Sequence, residues 1–568
     1  MSDRHPGHHE NREGDPDDGR DASGPAERPR AIGTIDLVAE PIRYPRSPLI
    51  ALLIIAVVPT FALFALQQWA DSEADAYEAN REVLASVDDE FGDVFDPDLR
   101  GGLDVDGDGV RDEPSTPDDD TDDGAADGAA AEANDADGTF ATPLLDYRRA
   151  PTAVADLAAA RQLGEAVEPV FRFLGAGSCG AVSVDGIDVA SVNADGAVIP
   201  ASVQKLLVGA AAIEILGADY RFATSIAVPA PVDGVVDGDI YLIGGGDPML
   251  TSDDYPIEDD RFPVVAATSL DRLADAVVAA GVSRVRGTVI GDGTRYDDEF
   301  VVDGWADGVA GVDAGPYDAL VVNDARVRGR SGREDDPNEA AAREFVRLLG
   351  DRGVRVDNGW GSGVASTLVP IVGTVESAPL IDIVSEMLLT SDNNTAELLV
   401  KELGVAEFES GSRLAGTRAV LESLQRQGLM TDGVTVIDGS GLSVDNRVTC
   451  TLVLGLLQRL AGGPLAAALP VAARTGTLTD EFLDSSMAGR LSAKTGTLGN
   501  EPFDEDPPAV KSLAGYVSTP DDATIEFVVI ANDADVSLET KYRPLWTALG
   551  ERFETYPSGP DADALGPS

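Results

Sequence analysis

The chain has 568 residues, room for three or four domains at roughly 150 residues each, and its 43% apolar content excludes wholesale disorder. With 42 basic against 100 acidic side chains the net charge is −58, which excludes nucleic acid as a partner held by phosphate neutralisation. The scarce residue types exclude more: His5, His8 and His9 precede any folded region, Cys179 and Cys450 are the two cysteines, and none of the five lysines follows a glycine, so a Ser-His-Asp triad, a His-ligated zinc, a CxxC site and a Walker A loop are all ruled out.

Residues 1–47 are rich in Pro, Gly, Asp and Arg without apolar periodicity and read as a disordered cytoplasmic tail. Within 48–69, Leu49 to Leu66 is an uncharged run of bilayer-spanning length with Trp69 at its interface, expected to be a single transmembrane helix. Arg28, Arg30, Arg43 and Arg46 precede it, while Asp71, Glu73, Asp75 and Glu78 follow, so the positive-inside rule puts everything after it outside the cytoplasm of a single-pass cell-membrane protein. Residues 70–143 are an acidic linker whose 71–140 stretch holds 25 acidic and three basic side chains, too polar to build a core and extended by self-repulsion. Inside it, Asp104, Asp106, Asp108 and Asp112 have the alternating spacing of a calcium loop around Gly109, but position 12 is Ser115 rather than a bidentate Glu. The reading preferred for that stretch is a solvated tether, with no metal.

Residues 144–556 form the globular part. An amphipathic helix is expected over 152–175, a hairpin from Cys179 with its turn at Asp185-Gly186, and an alanine-rich helix over 202–216 closed by Gly217. An insert of about 220–370 alternates short strands with helical patches near 268–280 and 337–351. Helices are expected at 379–404 and 412–428, two strands within 512–532 around the Pro520 turn, and a closing helix over 536–555. Residues 557–568 read as a disordered tail.

Three runs carry chemistry. In Ser202-Val-Gln-Lys205 at a helix start, the lysine lies one turn from the serine on the same face, able as a neutral amine to take the hydroxyl proton while the helix N-terminus faces a developing oxyanion. Ser391-Asp-Asn393 interrupts a helical pattern, placing a hydroxyl for proton relay and an amide for substrate at a helix mouth, although alone it would read as a cap. Lys494-Thr495-Gly496-Thr497 enters a strand where a cation and small residues can seat an extended peptide and its carboxylate, with Gly496 allowing close approach of the substrate backbone. The similar run Arg474-Thr-Gly-Thr477 is set aside, because arginine keeps its proton.

In this order S-x-x-K, S-x-N and K-T-G resemble the penicillin-binding proteins and serine β-lactamases. The 189 residues from Ser202 to Ser391, with the runs 239–248, 392–399, 438–443 and 513–516, are similar to the D-alanyl-D-alanine carboxypeptidase/endopeptidase family of the penicillin-binding protein 4 type, peptidase family S13. The resemblance implies an α/β penicillin-recognising (serine β-lactamase-like) fold: a five-stranded antiparallel sheet with flanking helices, a helical part and a large β-rich insert. It implies a serine D,D-peptidase acting on peptidoglycan stem peptides through an acyl-serine intermediate, inhibited by β-lactams and needing no cofactor. Catalysis falls to Ser202, Lys205 and Ser391, and substrate binding to Asn393, Lys494, Thr495, Gly496 and Thr497, with the Ser202 and Thr497 amides as oxyanion hole. A serine β-lactamase and a catalytically silent peptidoglycan-binding scaffold are the alternatives. Arg474, where an acidic residue is expected, and the acidic insert of 500–508 depart from the family pattern. Outside the cytoplasm, Cys179 and Cys450 are compatible either with a disulfide or with two separately buried thiols.

Overall fold

The computed structural model describes residues 150–255, 266–305, 308–327, 332–500 and 505–557. The expected transmembrane helix, the linker with its candidate calcium loop, and the two tails lie outside these residues, apart from Pro557. Among the described residues, no helix is long and apolar enough to cross a membrane. The chain divides into units 1–133 and 134–568, and all that follows concerns the second.

Helix α1 (Ala150–Phe171) leads into the hairpin β1 (Cys179–Val184) and β2 (Ile187–Val192). Asp185 and Gly186 both have positive φ, 46° and 78°, the two-residue turn whose twist matches the flanking strands. A 3-10 turn (Ala201–Val203) runs into α2 (Gln204–Leu216), where every residue from Gln204 to Ala212 is buried. Its alanines give α2 a small radius, so neighbours pack on all sides.

The insert comprises β3 (Ala223–Ala227), β4 (Ile240–Ile243), α3 (Asp271–Ala279), β5 (Val289–Asp292), α4 (Pro337–Asp351), β6 (Trp360–Ser362) and β7 (Ile371–Glu376). Its sheet is ordered β6-β5-β4-β3-β7, with β4, β5 and β6 parallel and β3 antiparallel to both neighbours. Leu273 and Val277 of α3 and Phe345 and Leu348 of α4 supply much of its core, so the insert is a layered α/β body rather than simply β-rich. Asp336 starts α4 by accepting from the backbone N–H groups of Asn338 and Glu339, with Pro337 at the first helical position.

The helical part follows as α5 (Leu380–Thr390), α6 (Asn393–Phe408), α7 (Arg413–Arg426) and α8 (Cys450–Leu460). The single helix expected over 379–404 is two helices, because Ser391 is left-handed (φ 64°, ψ 34°) and the Asp392 carboxylate accepts from Thr395 N–H to begin α6. Then come β8 (Leu491–Leu498), β9 (Ala509–Ser518), β10 (Thr524–Asp533) and α9 (Glu539–Glu554).

The main sheet is ordered β8-β9-β10-β1-β2 and antiparallel throughout, as expected. Its central strands β9, β10 and β1 are buried on both faces. Ile525, Phe527 and Val529 of β10 join the core beneath α1 and α9, while Val528 and Ile530 join that of α2 and α8. Of the two states left open for the cysteines, the disulfide is the one present: Cys179 on β1 is bonded to Cys450 at the start of α8.

Candidate active site

Ser202 sits in the 3-10 turn ahead of α2, where the chain must approach β8 and the 438–443 turn closely. Ala201 has φ 48°, a strained position for a non-glycine residue held by its surroundings. Asn532 of β10 pins the approach: its Oδ1 accepts from Ile199 N–H at 2.8 Å and its Nδ2 donates to Ile199 O at 3.0 Å. Two glycines make room. An added Cβ at Gly441 (φ 86°) would lie 2.0 Å from Ala201 O, and one at Gly496 would lie 2.1 Å from Ser512 Oγ and 3.0 Å from both Pro200 O and Ser202 N. Glycine at 496 is therefore demanded by the chain itself, by Ser512 of β9 first and then by the nucleophile turn.

Lys205 is fully buried and its Nζ reaches three oxygens: Ser440 O at 2.6 Å, Asn393 Oδ1 at 2.7 Å and Ser202 Oγ at 2.9 Å. The Ser440 carbonyl and the Asn393 amide oxygen can only accept, so they take two N–H groups. In the neutral amine the remaining lone pair is left for the Ser202 hydroxyl. Burial pushes the ammonium down to about 8, against the opposing carboxylates of Asp392, Glu397 and Asp438.

Those acids also build the turn that offers Ser440 O. Glu397 of α6 accepts from Gly439 N–H at 3.1 Å and Ser440 N–H at 2.8 Å. Asp438 accepts from Gly441 and Ser443 N–H, from Asn446 Nδ2 at 2.7 Å, and from Trp305 Nε1 of the insert at 2.9 Å. Burial, then the nearby Asp438, pushes the Glu397 carboxyl up to about 7.

Lys494 lies on β8, fully buried, and donates to Ser391 Oγ at 2.8 Å and to Thr495 O at 2.7 Å. Burial, aided by Lys205, pushes it well below the ordinary lysine value. Ser391, the left-handed residue between α5 and α6, thus bridges the Lys494 amine and the cleft. Asn393 Oδ1 accepts from Lys205 Nζ at 2.7 Å, and its Nδ2 donates to Asp313 O of the insert at 3.0 Å.

The open cleft, about 240 Å³, is lined by Ser202, Ser391, Thr495, Gly496 and Thr497, together with Thr477, Glu481, Lys511 and Trp546. Lys205, Lys494 and Asn393 stand behind that surface. Thr495 Oγ1 bonds Thr477 Oγ1 at 2.7 Å, so the set-aside run contributes its last threonine to the site while Arg474 stays exposed. The 500–508 insert is described at Asn500 and from Glu505 onward. Sequence reasoning brought Ser202, Lys205, Ser391, Asn393 and Lys494–Thr497 to one place, and missed the roles of Glu397, Asp438, Asn532, Lys511 and the Ser440 carbonyl. The runs 392–399 and 438–443 were the available signals for Glu397, Asp438 and Ser440.

The model of the D-Ala-D-Ala carboxypeptidase 3 (S13) family matches residues 182–333 and 321–544. A D-alanyl-D-alanine carboxypeptidase of Actinomadura sp. is 29% identical over 474 residues, 67% of this chain and 84% of that one. Carboxypeptidase DacB of Mycolicibacterium smegmatis is 32% identical over 353 residues, 59% and 71% of the two chains. The crystal structure of penicillin-binding protein 4 from Haemophilus influenzae superposes with a TM-score of 0.57 at 20% identity, covering 69% of this chain and 99% of that one. It carries the same penicillin-recognising α/β fold.

Proposed function

This chain belongs to the D-Ala-D-Ala carboxypeptidase 3 (S13) family, and from that premise we propose how its residues carry the reaction of a serine D,D-peptidase on peptidoglycan. Neutral Lys205 takes the proton of Ser202 as Oγ attacks the carbonyl of the penultimate D-alanine. The Ser202 and Thr497 amides, at the corner closed by Gly496, stabilise the oxyanion. Ser391, held by the Lys494 amine, delivers its hydroxyl proton to the nitrogen of the departing D-amino acid. It is reprotonated by the Lys205 ammonium, which leaves Lys205 neutral for deacylation. Asn393 and the Ser440 carbonyl orient the Lys205 amine. Water then hydrolyses the acyl-enzyme, and a β-lactam forms the same ester on Ser202. The observation that carries this reading is the buried Lys205 Nζ, 2.9 Å from Ser202 Oγ with two acceptor-only oxygens fixing its N–H groups.

The domain works outside the cytoplasmic membrane, held by the 48–69 segment and reaching the wall on the acidic linker. A disulfide between Cys179 and Cys450 supports an oxidising compartment.

The test is intact mass after incubation with benzylpenicillin, followed by peptide mapping, beside D-alanine release from an acylated D-Ala-D-Ala peptide. A one-to-one adduct on the Ser202 peptide with D-alanine release, both lost in Ser202→Ala, is expected. Rapid turnover of the adduct without D-alanine release would instead make the protein a β-lactamase. Peptidoglycan binding without either reaction would make it a scaffold.

A further inference from the structure

The cleft holds a cation that the three motifs do not account for. Lys511 on β9 stands directly across the ladder from Thr497 on β8, and its Nζ donates to Thr497 Oγ1 at 3.0 Å. The same Nζ lies 3.8 Å from the ring centroid of Tyr542 and 5.0 Å from that of Trp546, both on α9. Lys511 and Trp546 line the cleft together with Ser202, Thr495 and Thr497. The charged groups facing Lys511 from neighbouring elements are Glu481, Glu539 and Arg543. Glu481 is already engaged, accepting from Tyr542 Oη at 2.8 Å and from Arg543 at 3.3 Å. Among the described residues, no carboxylate lies within ion-pair distance of Lys511.

Lys494, the cation expected to meet the substrate carboxylate, is sealed behind Ser391 and its charge is suppressed by burial. We propose that Lys511 instead anchors the free α-carboxylate of the departing D-amino acid beside Thr497, making a free carboxylate on the leaving group a condition of good substrates. The proposal rests on the peptidase reading above. Physically, Thr497 Oγ1 accepts from Lys511 and so keeps its own O–H for the ligand, a chain in which each bond strengthens the next. The two rings give the ammonium an electron-rich wall and shield it from water, which strengthens its pull on an anion. Burial pushes Lys511 down to about 8, so the anchor is charged at neutral pH and fades in alkali.

The experiment compares hydrolysis of an acylated D-Ala-D-Ala peptide with that of its C-terminal amide, using the full chain in detergent. Wild type is expected to prefer the acid, and in Lys511→Met the acid-to-amide ratio of kcat/KM should fall about tenfold, through KM of the acid. In Lys511→Arg the preference should survive and persist at pH 9.5, where that of wild type declines. An unchanged ratio in Lys511→Met overturns the proposal while leaving the peptidase reading intact. Should Lys511→Met fail to fold, an acid preference in Lys511→Arg that declines at pH 9.5 just as in wild type overturns it. Wild-type enzyme that cleaves neither peptide overturns both readings.

Discussion

Asp392→Asn is expected to make the enzyme faster at neutral pH. The Asp392 carboxylate is the largest of three acidic influences that hold Lys205 up against burial. Asparagine keeps the oxygen that accepts from Thr395 N–H at the start of α6, so the helix survives and a charge is removed. With Lys205 at about 8, about one-tenth of it is neutral at pH 7 and nine-tenths at pH 9. A nearby carboxylate in a partly screened site moves the titration of a neighbouring amine by about half to one pH unit. Lowering Lys205 by ~0.7 raises its neutral fraction at pH 7 about fourfold. The assay is the second-order rate constant for benzylpenicillin acylation across pH 5.5–9.5, expressed as variant over wild type so that the titration of Lys511 cancels. The ratio should approach about five well below pH 7 and fall to about one or less by pH 9, since a weaker base gives a slightly lower plateau. A flat ratio, or a variant limb displaced to higher pH, would refute the base role given to Lys205.

Gly496→Ala should cost about 1–3 kcal/mol of stability through overpacking against Ser512 and the nucleophile turn. It should also slow acylation about a hundredfold by displacing Ser202, read by time-resolved mass spectrometry, with partial recovery in the Gly496→Ala/Ser512→Gly double variant. Replacing both Cys179 and Cys450 by alanine opens a 271-residue covalent loop and should lower stability by up to about 5 kcal/mol, measured by denaturant unfolding beside the oxidised wild type. Glu402→Leu should destabilise by about 3 kcal/mol or more, because Arg295 and the hydroxyls of Tyr220 and Tyr296 lose their shared acceptor. Limited proteolysis should then cut the insert first.

The catalytic set was legible because its chemistry restricts residue types: a hydroxyl one turn from a lysine, a second hydroxyl, a second lysine before small residues. What stayed hidden depends on placement. Ser440 contributes a backbone oxygen, which has no side-chain signature. Asn532 acts on Ile199 across 333 residues, through a pairing visible only once β1 and β10 are neighbours. The position of Lys511 depends on the β8–β9 register, and so on a connection carrying an unusual insert. The break at Ser391 was visible as a polar interruption, but not that one left-handed residue there ends α5 and lets Asp392 start a second helix. The five-stranded sheet was implied by the family resemblance, since its central strands are apolar runs buried on both faces and show no alternation. The α/β layering of the insert, by contrast, came from helices α3 and α4 packing on a mixed sheet.

The order of strands in the main sheet also has a meaning in time. β1 and β2 leave the ribosome near the start of the folded region, yet their sheet is completed by β8, β9 and β10 some three hundred residues later. At typical elongation rates that is a wait of roughly 15–70 s. During it, β1 carries a bare edge and the Ser202 turn lacks both its glycine wall and the Asn532 tether. Such distant pairings also fold slowly once available. The nucleophile is therefore made early and armed last, and a chain cut short anywhere before β10 would be a harmless one.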